Sequence, residues 1–340
     1  MKTSIVVLAA GKGTRFRSVL PKVLHEIAGR PMIEFVVSTA LALDPEQVTV
    51  VIGEGADQVR DAIGSGVTYA LQAEQLGTGH ALQQARESAA GLADVVLVLY
   101  GDTPLIRHTT LGRMVAHHVE AGAAVTILTF QPENPAGYGR IVRDPRTGQV
   151  EAIVEDEAAT AKEKKIGEVN SGLLCFRDDW LWDQLDRIER QPGGEYYLTD
   201  LVALARSAGE TVAAIEVDDA LEVMGVDHRA KLALAATEMR RRINERWMLT
   251  GVTMIDPAST YVDAGVDIGA DTVIWPNTMV QRGSRIGRGC TIGPNSVVRS
   301  STIEDGCRVE MSVVEHAWME EGADIGPFGH LRKGARLGKG

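Results

Sequence analysis

Hydrophobic residues in the first two thirds of the chain form short, continuous runs rich in valine and isoleucine, and segments with helical spacing separate these runs. Buried strands that alternate with helices are typical of an α/β fold, in which a mostly parallel sheet is covered on both faces. The predicted strands are 5–8, 48–52, 67–71, 95–99 and 125–130. The predicted helices between them are 32–41, 57–63, 80–89 and 111–119.

A second group of elements follows residue 130. Two short strands, 141–143 and 150–155, flank the turn DPRTG, and we expect this pair to be an insertion over one edge of the sheet. Further on, the pattern predicts a strand at 170–176, helices at 180–188 and 197–205, and a last strand at 212–217. We therefore assign residues 1–226 to one α/β domain.

The hydrophobic spacing changes at Asp227, where apolar residues begin to recur every three or four positions. This is the period of one face of an α-helix, and Gly251 supplies a helix stop. Residues 227–250 are thus predicted to form a linker helix, whose arginines at 240–242 we expect to face solvent. The residues of its apolar face are Leu232, Ala235, Met239, Ile243 and Trp247.

From residue 251 to residue 340, aliphatic residues recur every six positions and are often followed by glycine. Such a repeat predicts a parallel β-helix, in which each hexad forms one flat side of the coil and points one aliphatic residue inward. The repeat proves no activity, because solenoids often serve only to oligomerise. The predicted inward residues are Val262, Ile268, Ile274, Val280, Ile286, Ile292 and Val298, followed, after a slip at Ile303 and Val309, by Val313, Met319, Ile325, Leu331 and Leu337.

Composition limits the classes of function. With 340 residues, of which 44% are hydrophobic and 24% charged, the chain is long enough for two domains with separate cores. Its formal net charge of −11 argues against a nucleic-acid partner, and no apolar run is long enough for membrane insertion. Cys175, Cys290 and Cys307 form no CxxC pair, so we expect small buried thiols in a reducing, cytoplasmic setting.

The turn after the first predicted strand carries candidate chemistry. It reads LAAGKGTRFRSVLPK over residues 8–22, and it places Gly11 and Gly13 beside Arg15 and, further on, Lys22. Glycines let a backbone approach an anion closely, and free N–H groups together with positive side chains then bind phosphate. The spacing is that of neither a Walker A loop nor GxGxxG, yet it indicates a nucleotide. The alternative is an ordinary connection between a strand and a helix.

Two further segments are expected at the same edge of the sheet, because ligands bind beyond the carboxyl ends of parallel strands. They are residues 72–78 and 100–102. Asp102, at the end of a strand, is a candidate ligand for Mg²⁺, a hard ion that takes oxygen donors. The structural alternative is that Asp102 is a helix N-cap before Thr103 and Pro104.

Seven motifs follow one another along the chain: LAAGKGTR with Pro21-Lys22, LQAEQLGTGHA at 71–81, LYGDTPL at 99–105, GYGRI at 137–141, IVE at 153–155, VNSG at 169–172 and EYYLTD at 195–200. In order and at comparable spacing, they resemble those of the bifunctional N-acetylglucosamine-1-phosphate uridyltransferase/glucosamine-1-phosphate acetyltransferase family. LQAEQLGTGHA and EYYLTD are the most specific of them. The resemblance also covers the hexapeptide half, and it implies a Rossmann-like nucleotidyltransferase domain, a linker helix and a partial left-handed β-helix.

The resemblance implies Mg²⁺-dependent transfer of uridylyl from UTP to N-acetylglucosamine-1-phosphate, giving pyrophosphate and UDP-N-acetylglucosamine, a precursor of the cell wall. Such a transfer depends on positioning and charge neutralisation more than on covalent chemistry. Arg15, Lys22 and Asp102 would be the catalytic residues, and Asp102 and Asp227 would hold Mg²⁺. Asp227 is a departure, because the family has an asparagine there, and the alternative is that Asp227 caps the linker helix.

The substrate contacts are also implied by the resemblance. A side-chain amide can pair with a pyrimidine edge, while carboxylates and amides can bind sugar hydroxyls. Tyr138, Tyr196 and Tyr197 line the sugar pocket or fill space, and we expect at least one of them to fill space. Uracil would contact Leu8, Ala9, Ala10, Gly11, Gln72, Gly77 and Thr78; N-acetylglucosamine would contact Gly139, Glu155, Asn170 and Thr199; Lys22, Tyr100, Gly101 and Asp227 complete the expected set.

The histidines are scattered along the chain. Apart from the helical neighbours His117 and His118, none forms a pair with a cysteine or a second histidine at the spacing of a zinc site. We therefore expect them to be surface or core residues.

Acetyl transfer in the family needs residues further along the β-helix than Gly340, among them a catalytic histidine. We expect uridylyl transfer and no acetyl transfer from these 340 residues, and the open end of the solenoid indicates a truncated form of a longer parent. The resemblance implies a homotrimer formed through the β-helix. Three other interpretations stay open: a nucleotidyltransferase for another base or sugar, a non-catalytic regulatory homologue, and a purely structural β-helix module.

Overall fold

The computed structural model describes residues 1–339, which form two compact units. The first unit comprises Met1–His25 and Pro31–Leu232. The second comprises Glu26–Arg30 and the chain from Ala233 onward. The long helix Arg229–Leu249 falls where the sequence passes from one unit to the other.

Eleven strands lie between residues 1 and 220, and nine of them form one sheet in the first unit. The central order of that sheet is β11-β7-β10-β6-β1-β4-β5, and its neighbours run parallel except at β10, which is antiparallel to both β6 and β7. The mostly parallel sheet predicted from the sequence is thus confirmed. The strands are β1 (Thr3–Leu8), β2 (Glu26–Ile27), β3 (Arg30–Pro31), β4 (Gln47–Ile52), β5 (Thr68–Leu71), β6 (Val95–Tyr100), β7 (Val125–Phe130), β8 (Arg140–Arg143), β9 (Val150–Val154), β10 (Val169–Arg177) and β11 (Val212–Glu216).

The predicted helices are present, with one difference. The single helix expected at 80–89 is two helices that meet at Ala85, whose N–H bonds to the carbonyl of Leu82 as in a tight turn. The helices are α1 (Met32–Leu41), α2 (Ala56–Ile63), α3 (Thr78–Gln84), α4 (Arg86–Ala89), α5 (His108–Glu120), α6 (Asp178–Leu185), α7 (Asp200–Ser207) and α8 (Arg229–Leu249). Short 3₁₀ helices lie at Thr14–Phe16, Lys22–Leu24, Glu163–Lys165, Ala220–Val223 and Pro257–Ser259.

Alternate side chains of β1 enter two separate hydrophobic cores, one on each face of the sheet. Ile5 and Val7 pack with residues of α1 and α5, whereas Val6 and Leu8 pack with residues of α3, α6 and α7. Alternation of this kind follows from the two-residue period of a strand. The continuous apolar run in the sequence therefore reflects a strand that is buried on both faces.

Beyond Gly251 the second unit is a parallel β-helix with three five-stranded sheets. The first eight predicted inward residues through Ile303, and Val309 after them, are buried. The three sheets are β12-β15-β18-β21-β24, β13-β16-β19-β22-β25 and β14-β17-β20-β23-β26. Their strands are β12 (Thr253–Met254), β13 (Tyr261–Val262), β14 (Asp267–Ile268), β15 (Val273–Ile274), β16 (Met279–Val280), β17 (Arg285–Ile286), β18 (Thr291–Ile292), β19 (Val297–Arg299), β20 (Thr302–Ile303), β21 (Arg308–Val309), β22 (Val313–Glu315), β23 (Trp318–Met319), β24 (Asp324–Ile325), β25 (His330–Leu331) and β26 (Arg336–Leu337).

One predicted inward residue was wrong. Val314 is completely buried, whereas Val313 is only half-buried. The reason is a shortened coil: Val280 pairs with Val298 eighteen positions on, but Val298 pairs with Val314 only sixteen positions on. The sequence period slips because some sides hold five residues instead of six, and the slip moves the inward position by one residue.

Several side-chain environments match their predictions. Cys175, Cys290 and Cys307 are free, buried thiols. His118 on α5 is a core residue, 2% exposed, whose Nδ1 lies 2.8 Å from the hydroxyl of Thr126.

Among residues 1–339, no helix has both the length and the hydrophobicity to cross a membrane.

Candidate active site

The loop that follows β1 lies beside the end of β4 and the residue that follows β6. The N–H of Ala9 donates to Val51 O (2.8 Å), and the N–H of Gly101 donates to Leu8 O (2.9 Å). Gly13 has a φ of 60°, and a Cβ there would lie 2.5 Å from Cβ of Lys22. A side chain at position 13 would therefore displace Lys22, so this glycine permits the close approach of the lysine to the loop.

His25 and Arg229 hold this loop in place through their contacts with Phe16. Phe16 is 1% exposed, and its ring lies 4.5 Å from the ring of His25, measured between centroids. Nε of Arg229 donates to the carbonyl of Phe16 at 3.2 Å. Phe16 is thus a packing residue that anchors the turn between Arg15 and Lys22.

Lys22 and Asp102 form an ion pair at the centre of the site. Nζ of Lys22 lies 2.5 Å from Oδ2 of Asp102, and both side chains are largely buried. The carbonyl of Asp102 accepts from the N–H of Val226 (2.8 Å), which brings residue 227 to the same region. Asp102 caps no helix, because the next helix, α5, begins only at His108 and the turn is closed by Thr103 bonding to Tyr100 O.

Asp227 forms a second group of charges, with Arg15 and Lys231. Its Oδ2 accepts from Nη1 of Arg15 at 2.6 Å. Its Oδ1 is buried and makes no hydrogen bond, although Nζ of Lys231 lies 3.3 Å away. The first turn of α8 is capped by His228, whose Nδ1 accepts from the N–H of Lys231 at 3.2 Å. The cap that the sequence suggested for Asp227 is therefore provided by its neighbour, and the carboxylate of Asp227 faces the site.

A cleft of about 490 Å³ contains the first group of predicted contacts. Gln72, 3% exposed, donates from Nε2 to Gly77 O at 3.1 Å. Gly77 has a φ of 97°, and a Cβ there would lie 2.6 Å from the carbonyl of Tyr196. The structure therefore packs the segment around residue 77 directly on the EYYLTD segment. The residues that line this cleft include Leu8, Ala9, Ala10, Gly11, Lys22, Gln72, Gly77, Thr78, Tyr100 and Asp102.

A second cleft, of about 550 Å³, contains the residues predicted to hold the sugar. Gly139, Glu155, Asn170 and Thr199 all line it, although they lie in four different motifs. Thr199 Oγ1 donates to Glu155 Oε1 at 3.1 Å, and the N–H of Asn170 donates to Gly139 O at 2.8 Å. Burial raises the pKa of the Glu155 carboxyl above its ordinary value.

A smaller cleft, of about 330 Å³, shares residues with both of these. Asp102 lines it and the first cleft, Arg15 lines it and the second, and Tyr100 lines all three. Burial raises the pKa of the Tyr100 phenol, so this side chain stays uncharged where it lines the three clefts. The charged pairs thus lie where the two larger clefts meet.

Of the three tyrosines, Tyr196 packs against the hydrophobic core, whereas Tyr138 and Tyr197 line the second cleft. Lys12, Gln75 and Glu195, which also line the first cleft, lie within segments that the sequence placed at the site, although no contact was predicted for them. The sequence interpretation missed Lys231, which lines the smaller cleft. For Lys231 a signal was present, since a lysine four residues after an aspartate on a helix faces that aspartate.

The chain matches the family model of the MobA-like NTP transferase domain over residues 5–164 and that of the bacterial transferase hexapeptide (six repeats) over residues 265–300. The bifunctional proteins GlmU of Exiguobacterium sibiricum, Pelotomaculum thermopropionicum and Latilactobacillus sakei are 46%, 47% and 44% identical to it. These alignments cover 98%, 100% and 98% of this chain and 74%, 74% and 72% of the relatives. The chain belongs to the GlmU family.

Membership of the GlmU family confirms the resemblance and the fold class predicted from the sequence. The chain is a nucleotidyltransferase, the uridyltransferase that forms UDP-N-acetylglucosamine, as the order of the motifs predicted. A nucleotide and a sugar phosphate are its substrates, and the family depends on a metal ion. The roles of individual residues stay predictions.

Proposed function

We propose that the three adjoining clefts of this GlmU chain bind UTP and N-acetylglucosamine-1-phosphate side by side and join them at the charged pairs between the clefts. An oxygen of the sugar phosphate attacks the α-phosphorus of UTP, the new P–O bond forms, and the bond to the β-phosphate breaks so that pyrophosphate leaves. No proton needs to move. The single observation that carries this proposal is the position of Lys22–Asp102 and Arg15–Asp227 at the junction of the clefts.

Lys22 and Arg15 supply the positive charge in this scheme. Lys22 is held deep in the loop beside Gly13, so its ammonium stays close to the backbone that would receive the triphosphate. The Arg15 side chain is 72% exposed and can reach the ligand from the open side. Charge that develops on the leaving pyrophosphate is stabilised by such preorganised cations.

The donor set of the site fits Mg²⁺. Asp102 and Asp227 offer carboxylate oxygens to one cleft, and Oδ1 of Asp227 is buried without a hydrogen-bond partner. Within residues 1–339 no cluster of three or more acidic, histidine or cysteine side chains is placed to hold a metal, which suits an ion that keeps water and phosphate oxygens as its other ligands. When bound between Asp102 and Asp227, Mg²⁺ would neutralise phosphate charge and align the α-phosphate. Asp227, although charged where the family has asparagine, supplies the same oxygen donor.

Sugar selection follows from the second cleft. Glu155 and Asn170 present an acceptor and an amide to the same space, and Thr199 fixes the orientation of the Glu155 carboxylate. Hydrogen bonds from such fixed groups discriminate strongly against a sugar that lacks the matching hydroxyl or amide, because the buried protein groups are then left unpaired. On the nucleotide side, Gln72 and the backbone at residues 8–11 read the uracil edge.

The direct test is pyrophosphate release from UTP and Mg²⁺ with N-acetylglucosamine-1-phosphate, compared with glucose-1-phosphate and with CTP or ATP as donor. We expect N-acetylglucosamine-1-phosphate with UTP to give the highest kcat/KM. Preference for another sugar or base would contradict the specificity, and absence of turnover with any pair would point to a regulatory homologue. Glucosamine-1-phosphate with acetyl-CoA tests the separate prediction that residues 1–340 perform no acetyl transfer.

We further propose that the second unit assembles as a homotrimer. The outward positions on the first four strands of the sheet β13-β16-β19-β22-β25 form an apolar row, which ends at His330 on β25. In this row Tyr261 is 45% and Met279 42% exposed, and Val297 and Val313 are half-buried. An apolar stripe of this length on a solenoid is suited to packing against further copies. Light scattering after gel filtration should give the mass of three chains, and Met279→Glu should give a monomer. A wild-type monomer would contradict the proposal.

Because UTP and sugar phosphates are cytoplasmic metabolites, we also propose a cytoplasmic location. Fractionation of the source cells tests this, and recovery with the membrane pellet would contradict it.

A further inference from the structure

Lys231 is a cation of the site that no sequence motif covers. It lies in the first turn of α8, its ammonium is 3.3 Å from Oδ1 of Asp227, and its side chain is only 26% exposed. The ammonium also lies 5.5 Å from the ring centroid of Tyr138, whose ring is in turn held edge-on against Phe130. A charge, a ring and partial burial therefore fix the position of this lysine.

An ordinary helix-surface ion pair would explain a lysine four residues after an aspartate. Two observations go beyond that explanation. Oδ1 of Asp227 makes no hydrogen bond, so the Lys231 ammonium meets this carboxylate as an ion pair without a directed hydrogen bond. Lys231 also lines the same cleft as Asp102 and Arg15 instead of projecting into open solvent.

The cations of the site are used differently. Nζ of Lys22 is hydrogen-bonded to Asp102, and Nη1 of Arg15 is hydrogen-bonded to Oδ2 of Asp227. Within residues 1–339 the Lys231 ammonium is ion-paired with Asp227 but donates no hydrogen bond. It lies at the side of the site that continues into the sugar cleft through Tyr138, Gly137 and Ser171. It does not line the cleft beside the glycine loop, where the triphosphate would lie. A lysine ammonium on a flexible stem is well suited to meet a phosphate monoester as a point charge.

We propose that Lys231 is a substrate-positioning residue that binds the phosphate of the sugar-1-phosphate. This inference rests on the proposed function of the clefts, and it adds a residue to that function. The ammonium lies beside Asp227. When the substrate binds, it turns to the incoming phosphate and holds the attacking oxygen against the α-phosphorus. It also offsets the extra negative charge that Asp227 brings where the family has an asparagine.

The test compares Lys231→Met, which removes the charge at similar length, with Lys231→Arg and with Lys2→Met. Lys2 is a matched control because it precedes β1, at the opposite edge of the sheet from the clefts. Calorimetry in metal-free buffer measures the Kd of N-acetylglucosamine-1-phosphate and, separately, of UTP. We expect Lys231→Met to weaken sugar phosphate about tenfold to a hundredfold, the effect of one charge-assisted contact, and UTP less than about twofold. Lys231→Arg should recover part of the loss.

A second comparison separates phosphate binding from simple neutralisation of Asp227. If Lys231 acts only by balancing that carboxylate, the double variant Lys231→Met/Asp227→Asn regains the wild-type Kd for sugar phosphate, and the proposal is wrong. Equal weakening of sugar phosphate and UTP, or no difference from Lys2→Met, would also overturn it. The function of the clefts is judged independently by pyrophosphate release from the wild-type chain, which these binding results do not affect.

Discussion

The two units of the molecule use their sequences in different ways. In the first unit, the candidate site depends on a few charged side chains, such as Lys22 and Asp102, that distant motifs bring together at one edge of the sheet. The β-helix instead depends on a ladder of inward aliphatic residues, in which the same kind of contact repeats from one coil to the next. The difference teaches that a substitution of one of these charged side chains should affect turnover more than folding, whereas a substitution of an inward aliphatic residue in the β-helix should do the reverse.

The largest expected effect is on turnover. Asp102→Asn removes the charge that pairs with Lys22 and the proposed metal-binding oxygen. We expect kcat for uridylyl transfer to fall about a hundredfold to a thousandfold, as when one preorganised electrostatic group is removed from an active site. The measurement is steady-state pyrophosphate release, with the unfolding temperature recorded alongside.

The matched control is Asp94→Asn, at the opposite end of the same strand, where the carboxylate accepts from the backbone N–H of Lys2. It should leave kcat within about twofold. If Asp94→Asn and Asp102→Asn lower kcat equally, the effect is structural and the contrast between the units is lost.

The reverse experiment alters the ladder. Ile292 is completely buried between Ile274 and Val309 on successive coils, so Ile292→Ala should lower the free energy of unfolding of the β-helix by about 3 kcal/mol. Urea unfolding followed by tryptophan fluorescence measures this. The outward neighbour Thr291→Ala should cost less than about 0.5 kcal/mol.

Below its unfolding transition, Ile292→Ala should keep the wild-type kcat for uridylyl transfer. A marked loss of kcat in the folded variant would show that the two kinds of sequence use are not separate.

A buried polar residue sharpens the comparison inside the first unit. Burial lowers the pKa of His118 to about 4, and the nearby charges of Arg177 and His117 act in the same direction. Because this pKa is lower in the folded chain than in the unfolded chain, the stabilisation is complete above pH 6.5 and is lost as the pH falls toward 4. Urea titrations at pH 7 and pH 5 should differ by about 2 kcal/mol more in wild type than in His118→Asn.

His118→Asn retains an amide near Thr126 but cannot titrate, so it isolates the histidine from the carboxylates that protonate over the same range. An identical pH dependence in both proteins would contradict the assignment. The kcat at pH 7 should not change in either case.

The smallest expected effect concerns the sugar cleft. Because burial raises the pKa of Glu155, this carboxylate protonates at a higher pH than an ordinary glutamate and then ceases to be a pure acceptor. The KM for N-acetylglucosamine-1-phosphate should therefore rise several-fold on acidification from pH 7, whereas the KM for UTP should rise less. Glu155→Gln, with a higher KM at pH 7, should show a flatter pH profile; a profile parallel to that of wild type would contradict the role of Glu155.

Much of this could be predicted from the sequence because the signals were local. Runs such as 95–99 and 125–130 could be recognised as buried strands, and the motif residues at their ends converge because parallel strands share one carboxyl edge. What could not be predicted depends on geometry between distant segments. The hydrogen bond from Arg229 to the carbonyl of Phe16 and the pairing of Arg15 with Asp227 arise only when residues more than two hundred positions apart are folded together.

The β-helix shows the opposite limit. Its period made the fold evident. Val313 was nevertheless wrongly predicted to point inward, because the period alone does not show which side of the coil is shortened. Likewise, helical spacing across 80–89 gave no sign of the interruption at Ala85. Periodic patterns thus predict the type of element better than its phase.

The shortened sides of the β-helix have a consequence for how such a coil changes length. Between Val298 and Met319 the coil loses residues while Ile303 and Val309 remain buried and the strand pairs Val297↔Val313 and Thr302↔Trp318 stay intact. The corners, not the strands, absorb the deletion. A solenoid of this kind can therefore gain or lose single residues in evolution while the same positions of each strand stay inward, provided that each change falls at a bend.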